Sequence, residues 1–130
     1  IMNKKILIVL ANYYKDISNG LLKSALKNIP KSSRVKIIRV PGVFEIPVTI
    51  SKNLKKFDAF LALGCVIKGQ TPHFDFISQA STNAIMDISV SQKKPVGNGI
   101  ITCLNMKQAK ARKSKGAEAA NAVFSVLSQK

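Results

Sequence analysis

The sequence predicts an α/β domain built on a parallel sheet of four strands, and three observations lead there. Four short apolar runs rich in β-branched residues alternate with stretches whose apolar residues recur at helical spacing. The first run, Ile6-Leu7-Ile8-Val9-Leu10-Ala11, is apolar at every position, the pattern of a parallel strand covered on both faces. A chain of 130 residues with 46% apolar side chains has the size of one domain, spanning residues 1–130, and enough apolar surface for a core. Its formal charge of +15 therefore does not make it a disordered basic tail.

The first strand is expected over Lys5–Ala11. Ile17, Leu21, Leu22, Ala25, Leu26 and Ile29 then recur at helical spacing until Pro30 stops the pattern, and Val35–Val40 supplies the second strand. A second helix is expected over Phe44–Lys56, where Pro47 fits only a first turn and Ile46, Ile50 and Leu54 share a face. Asp58–Leu63 is the third strand. The next helix, Phe74–Ser91, carries Phe74, Ile77, Ala80, Ala84, Ile85 and Ile88 along one stripe, and Val96–Thr102 is the fourth strand. A short helix over Met106–Arg112 precedes a last one whose stripe is Ala117, Ala120, Val123, Phe124 and Leu127. Right-handed crossovers between parallel strands leave a flavodoxin-like three-layer α/β/α fold, a doubly wound four-stranded parallel sheet with ligands at the strand C-terminal ends.

Composition narrows the chemistry. With Cys65 and Cys103 alone, one histidine, His73, and no Cys-x-x-Cys, a transition-metal site lacks ligands, and six scattered carboxylates form no paired-acid motif. Any reaction must run on His73, lysines, arginines, hydroxyls and backbone amides, which suits an anionic organic substrate and needs no metal. Two cysteines in a chain large enough to do without a staple point to a reducing cytoplasm. No apolar run spans a bilayer, and the six apolar residues after Lys4-Lys5 are too few for a secretory leader. The cations are 12 in residues 1–60 and 9 in 61–130, with 18 lysines to 3 arginines. That is the distribution of a solvated surface, with no block to suggest a nucleic-acid partner.

Three segments near strand ends are unusual. Val40-Pro41-Gly42-Val43-Phe44-Glu45-Ile46-Pro47 reads either as a plain turn with a carboxylate at a helix start, or as a turn offering Phe44 and backbone amides to a planar ring. Gly64-Cys65-Val66-Ile67-Lys68-Gly69-Gln70-Thr71-Pro72-His73-Phe74-Asp75 puts a capping Thr71 and an N1 Pro72 before His73, so that first-turn amides and the amides of Gln70 and Thr71 lie near the only imidazole. A lone histidine is more often structural than catalytic, and spacing does not decide between the two. The third segment, from Gly97-Asn98-Gly99 to the basic bridge Gln108–Gly116, is a solvated loop unless Arg112 forks onto a phosphate.

The first two motifs, in this order, with Gln108-Ala109, Arg112 and Lys115-Gly116-Ala117-Glu118-Ala119-Ala120 behind them, resemble the 6,7-dimethyl-8-ribityllumazine synthase family over nearly the whole chain. The resemblance implies a transferase that condenses 5-amino-6-(D-ribitylamino)uracil with (S)-3,4-dihydroxy-2-butanone 4-phosphate without a cofactor, releasing phosphate and water. It implies His73 for proton transfer and Gln70, Thr71 and Arg112 for the phosphate. Val43, Phe44, Glu45, Cys65, Val66 and Ile67 then contact the pyrimidine and ribityl chain, and Tyr13 stacks on the ring. Asn98 is implied to line the ring from a neighbouring subunit of a homopentamer. Asn12, Lys68 and Gln70 depart from the commoner residues of the family, and the stretch between Arg112 and Lys115 is short. Larger shells occur in the family, but +15 per subunit and the short stretch favour an isolated ring. Two alternatives stand beside this one: a domain that only binds flavin, lumazine or nucleic acid, in which His73 would be dispensable, and the related archaeal-type riboflavin synthase, which the Pro-His-Phe-Asp motif fits less well.

Overall fold

The computed structural model describes residues 3–129. Its strands are β1 (Lys5–Ala11), β2 (Arg34–Val40), β3 (Ala59–Ile67) and β4 (Val96–Cys103), all parallel in the order β2-β1-β3-β4. The helices are α1 (Lys15–Lys27), α2 (Ile46–Lys52) after a 3₁₀ turn at Val43–Glu45, α3 (His73–Gln92), α4 (Met106–Ala111) and α5 (Lys115–Leu127). The chain moves outward from β1 to β2, returns to β3 beside β1, and moves out the other way to β4. The C-terminal ends of β1 and β3 therefore flank the point where the winding reverses, where sheets of this kind leave a crevice.

The strand period of two sorts β1 between two cores. Ile6, Ile8 and Leu10 face α1 and α5, where Ile17, Leu21, Ala25, Ala120 and Val123 are buried with them. Leu7, Val9 and Ala11 face the other layer with Ile46 and Ile50 of α2 and Ile85 of α3. This is the doubly wound three-layer fold that the alternating periodicity predicts. The buried Ser18 hydroxyl donates to the Ala11 carbonyl and ties α1 to the end of β1.

Three elements differ from expectation. β3 runs four residues past Leu63, because Gly64 lets the strand continue where a side chain would collide. A Cβ there would sit 2.9 Å from both Ala11 Cβ and Val43 Cγ2. The single helix expected over Phe44–Lys56 is a 3₁₀ turn followed by seven α-helical residues, with Pro47 in the first turn and the rest unwound by Asn53. In α3 the expected stripe packs on the core through Ile77, Ile85 and Ile88, with Ser81 buried beside them, but Ala80 is exposed; Phe76, Met86 and Val90, off the stripe, stand 66%, 61% and 69% exposed.

Candidate active site

The segment leaving β2 is folded on itself before it reaches α2. The Gly42 amide donates to Glu45 Oε1 at 2.9 Å, and Thr49 Oγ1 donates to the Glu45 carbonyl at 2.8 Å, so the carboxylate closes the turn on which Phe44 rides. Phe44 is left 65% exposed and Val43 buried, one available to a ligand and the other anchoring the turn. Across the crevice, the turn after β1 leaves Tyr13 75% exposed, with its ring edge-on to Tyr14 at 4.9 Å between centroids.

The end of β3 forms the floor. Cys65, Val66 and Ile67 belong to the strand itself, and the register pairs Cys65 with Ile101 and Ile67 with Cys103. Burial, with Cys103 adding to it, pushes the Cys65 thiol up to about 12, so it presents a neutral apolar surface. Burial likewise raises Tyr14, with Tyr13 and Cys65 contributing. The chain then crosses the exposed loop from Lys68 to Thr71 and enters α3. The Thr71 hydroxyl accepts the His73 amide at 3.4 Å; Pro72 occupies the flanking position, and the helix opens on His73 itself, one residue later than Thr71-Pro72 suggests.

These pieces enclose a cavity of about 670 Å³. Of the twelve candidate residues, Tyr13, Val43, Phe44, Glu45, Cys65, Val66, Ile67 and His73 line it together. Gln70 and Thr71 lie in the adjoining loop outside that lining. Arg112 stands just past α4, where its Nη1 donates to the Thr102 carbonyl at 3.3 Å and lies 4.0 Å from Cys103 Sγ, directed at the end of β4 and not into the cavity. Asn98 is far from it in the sheet, exposed in the first half of β4, with Oδ1 accepting the Ile100 amide at 3.0 Å. A single chain thus unites the ring-sized part of the site and leaves Asn98 apart.

Tyr14, Gly42, Phe76, Ile77 and Ala80 also line the cavity. Gly42 and Tyr14 adjoin candidates already singled out. Ile77 and Ala80 sit in the stripe read as core: Ile77 packs against the core and also borders the crevice, and Ala80 is exposed. Among the described residues, no group of three or more His, Cys, Asp or Glu could hold a metal ion. An apolar cleft of this size with an imidazole at a helix start suits a planar organic ligand with polar tips.

The chain from residue 3 to 130 matches the family model described as 6,7-dimethyl-8-ribityllumazine synthase. A protein of that name from Bartonella bacilliformis is 42% identical over 139 residues, covering 99% of this chain and 91% of the relative. Those from Cutibacterium acnes and Agrobacterium fabrum are each 40% identical, covering 95% and 96% of this chain and 80% and 93% of the relative. With identity at this level and a match from end to end, the chain belongs to the 6,7-dimethyl-8-ribityllumazine synthase family.

Proposed function

We propose that the cavity at the ends of β1 and β3 condenses 5-amino-6-(D-ribitylamino)uracil with (S)-3,4-dihydroxy-2-butanone 4-phosphate, the penultimate step of riboflavin biosynthesis. Membership of the family carries the reaction. The observation that ties it to this cavity is the meeting of His73 with Tyr13, Phe44 and the end of β3 around one apolar cleft.

The pyrimidine lies on the Cys65–Ile67 floor between the Phe44 turn and Tyr13, where a protonated thiol adds no charge beside a neutral ring. The 5-amino group attacks the ketone of the butanone phosphate, water leaves to give an imine, phosphate is eliminated, and the ribitylamino nitrogen closes the ring on the remaining carbonyl with loss of a second water. His73, at the rim, accepts and returns protons during these steps, a contribution on the order of 10²-fold or more. Holding the two substrates in contact supplies much of the remainder. Gln70, Thr71 and Arg112 hold the phosphate. For Arg112 this requires its guanidinium to swing from the Thr102 carbonyl, an exposed contact of 3.3 Å that an anion readily replaces. Glu45 acts through the turn it closes and through its second oxygen.

The assembly is a homopentamer with sites at subunit interfaces, and its home is the cytoplasm. The exposed apolar residues of α3, Phe76, Met86 and Val90, support a face that a neighbour covers, and exposed Asn98 is free to meet the crevice of the next subunit. No described helix is long and apolar enough to cross a membrane.

Incubating the purified protein with both substrates tests the reaction. Lumazine absorbance should grow together with released phosphate, and neither signal should appear when one substrate is omitted. Ligand binding without turnover would leave a binding domain only.

A further inference from the structure

In a doubly wound sheet every strand starts at one end of the molecule, opposite the crevice, and every crossover helix finishes there. In this chain that end gathers Lys4 and Lys5 before and at the start of β1, Lys27 at the end of α1 and Lys31 before β2, Arg34 opening β2, Lys52, Lys55 and Lys56 at and after the end of α2, and Lys93 and Lys94 before β4. Hydrogen bonds join these segments into one surface. The Arg34 amide donates to the Lys4 carbonyl at 2.8 Å, the Asp58 amide donates to the Lys5 carbonyl at 2.8 Å, and Lys94 Nζ donates to the Leu54 carbonyl.

Ten of the 21 cations thus share an end where, among the described residues at strand starts and in the loops before them, Asp58 is the single carboxylate, and its Oδ2 is taken by the Lys5 amide. Eight of the ten are exposed. The one side-chain ion pair among the described residues, Lys115 with Glu118, lies elsewhere. Helix C-terminal carbonyls account for Lys27 and Lys52, each in a last turn, but not for the cations at strand starts and in the loops. Along the chain the cations form no block; folding makes the block that the linear sequence lacks.

We propose that this end binds a phosphate chain, whether the phosphoanhydride of inorganic polyphosphate or the phosphodiester backbone of a nucleic acid. Nine lysines supply point charges, and Arg34 alone supplies a planar fork of the kind that reads base edges. No aromatic ring is exposed there for bases to stack on. A folded protein partner is less well served, since protein interfaces concentrate their energy in aromatic and arginine anchors, and this surface exposes no aromatic ring and one arginine, Arg34. Recognition is by charge and is independent of sequence. The candidate active site faces the other way, so the two functions coexist on one subunit.

The test uses two variants of equal charge. K27Q/K31Q/K55Q/K56Q removes four cations from the proposed surface, and K23Q/K36Q/K107Q/K110Q removes four from elsewhere. Binding of labelled inorganic polyphosphate and of single-stranded RNA is followed by anisotropy as salt rises, with polyglutamate as the carboxylate counterpart. The first variant should bind at least tenfold more weakly at low salt and lose about three from the slope of log affinity against log salt, roughly 0.7 per phosphate contact on a single strand. The second should change little, and lumazine formation should be unaltered in both. Tighter binding of polyphosphate or of RNA identifies the source of the phosphate chain. Equal weakening by both variants, equally tight polyglutamate, or no binding at low salt would overturn the proposal.

Discussion

Burial lifts the Cys65 thiol to about 12 from an ordinary 9 and so favours its neutral form in the folded protein. This group's contribution to stability is therefore complete below about pH 9 and is lost as pH climbs towards 12. At pH 8 its thiolate is about a thousandfold scarcer than that of an unperturbed thiol, and iodoacetamide should label Cys65 only after unfolding. Labelling of the native protein at the rate of a free thiol would show that the floor of the cleft is open and polar. Arg112 makes the complementary prediction. Arg112→Ala should raise KM for the butanone phosphate by roughly 10- to 100-fold, the 1.5 to 3 kcal/mol of a charged hydrogen bond, and leave KM for the pyrimidine nearly unchanged. If both KM values stayed unchanged, Arg112 would be only a surface charge. The proposed role of Arg112 is readable only through the family motif, because in the single chain its guanidinium donates to the Thr102 carbonyl.

At the scale of elements, β1, β2 and β4 and the helices α1, α3, α4 and α5 are legible in the sequence to within a residue or two, because apolar β-branched clusters mark the strands and helical spacing marks the long helices. β3 is not. Gly64 reads as a stop in sequence, yet it is the one residue that lets Ala11 and Val43 close against the strand, and the extension carries Cys65, Val66 and Ile67 to the cavity. Glycines of β4 work the same way. A Cβ on Gly97 would lie 2.5 Å from the Ala119 carbonyl and 2.6 Å from Leu61 Cδ2, between backbone and core. Gly97→Ala should therefore push α5 from the sheet and cost about 1 to 3 kcal/mol, the usual penalty of overpacking, visible as a lower denaturant midpoint. Gly69→Ala, whose Cβ meets nothing within 4 Å, should stay within about 0.5 kcal/mol of the parent. If Gly97→Ala were as stable as Gly69→Ala, close packing of α5 on β4 would be refuted.

On the scale of the whole molecule, the cleft gathers Phe44, Tyr13, the end of β3 and His73 within one chain, while Asn98 stands apart on the edge strand. No local pattern in a sequence can bring Asn98 to His73: the two stand apart in the single chain, and the proposed meeting across copies leaves no periodicity to read. Light scattering at several salt concentrations should give five times the subunit mass; a monomer that is fully active would refute the shared site. Proton transfer by His73 is the centre of the account, and turnover of His73→Ala measures it most directly. The fold of that variant is protected, because the exposed imidazole contributes little to the core and α3 is held by Ser81 and Ile85. With both substrates saturating, lumazine formation should fall by about 10²-fold or more while the unfolding midpoint stays put; a folded His73→Ala protein that turns over at the parent rate would contradict it.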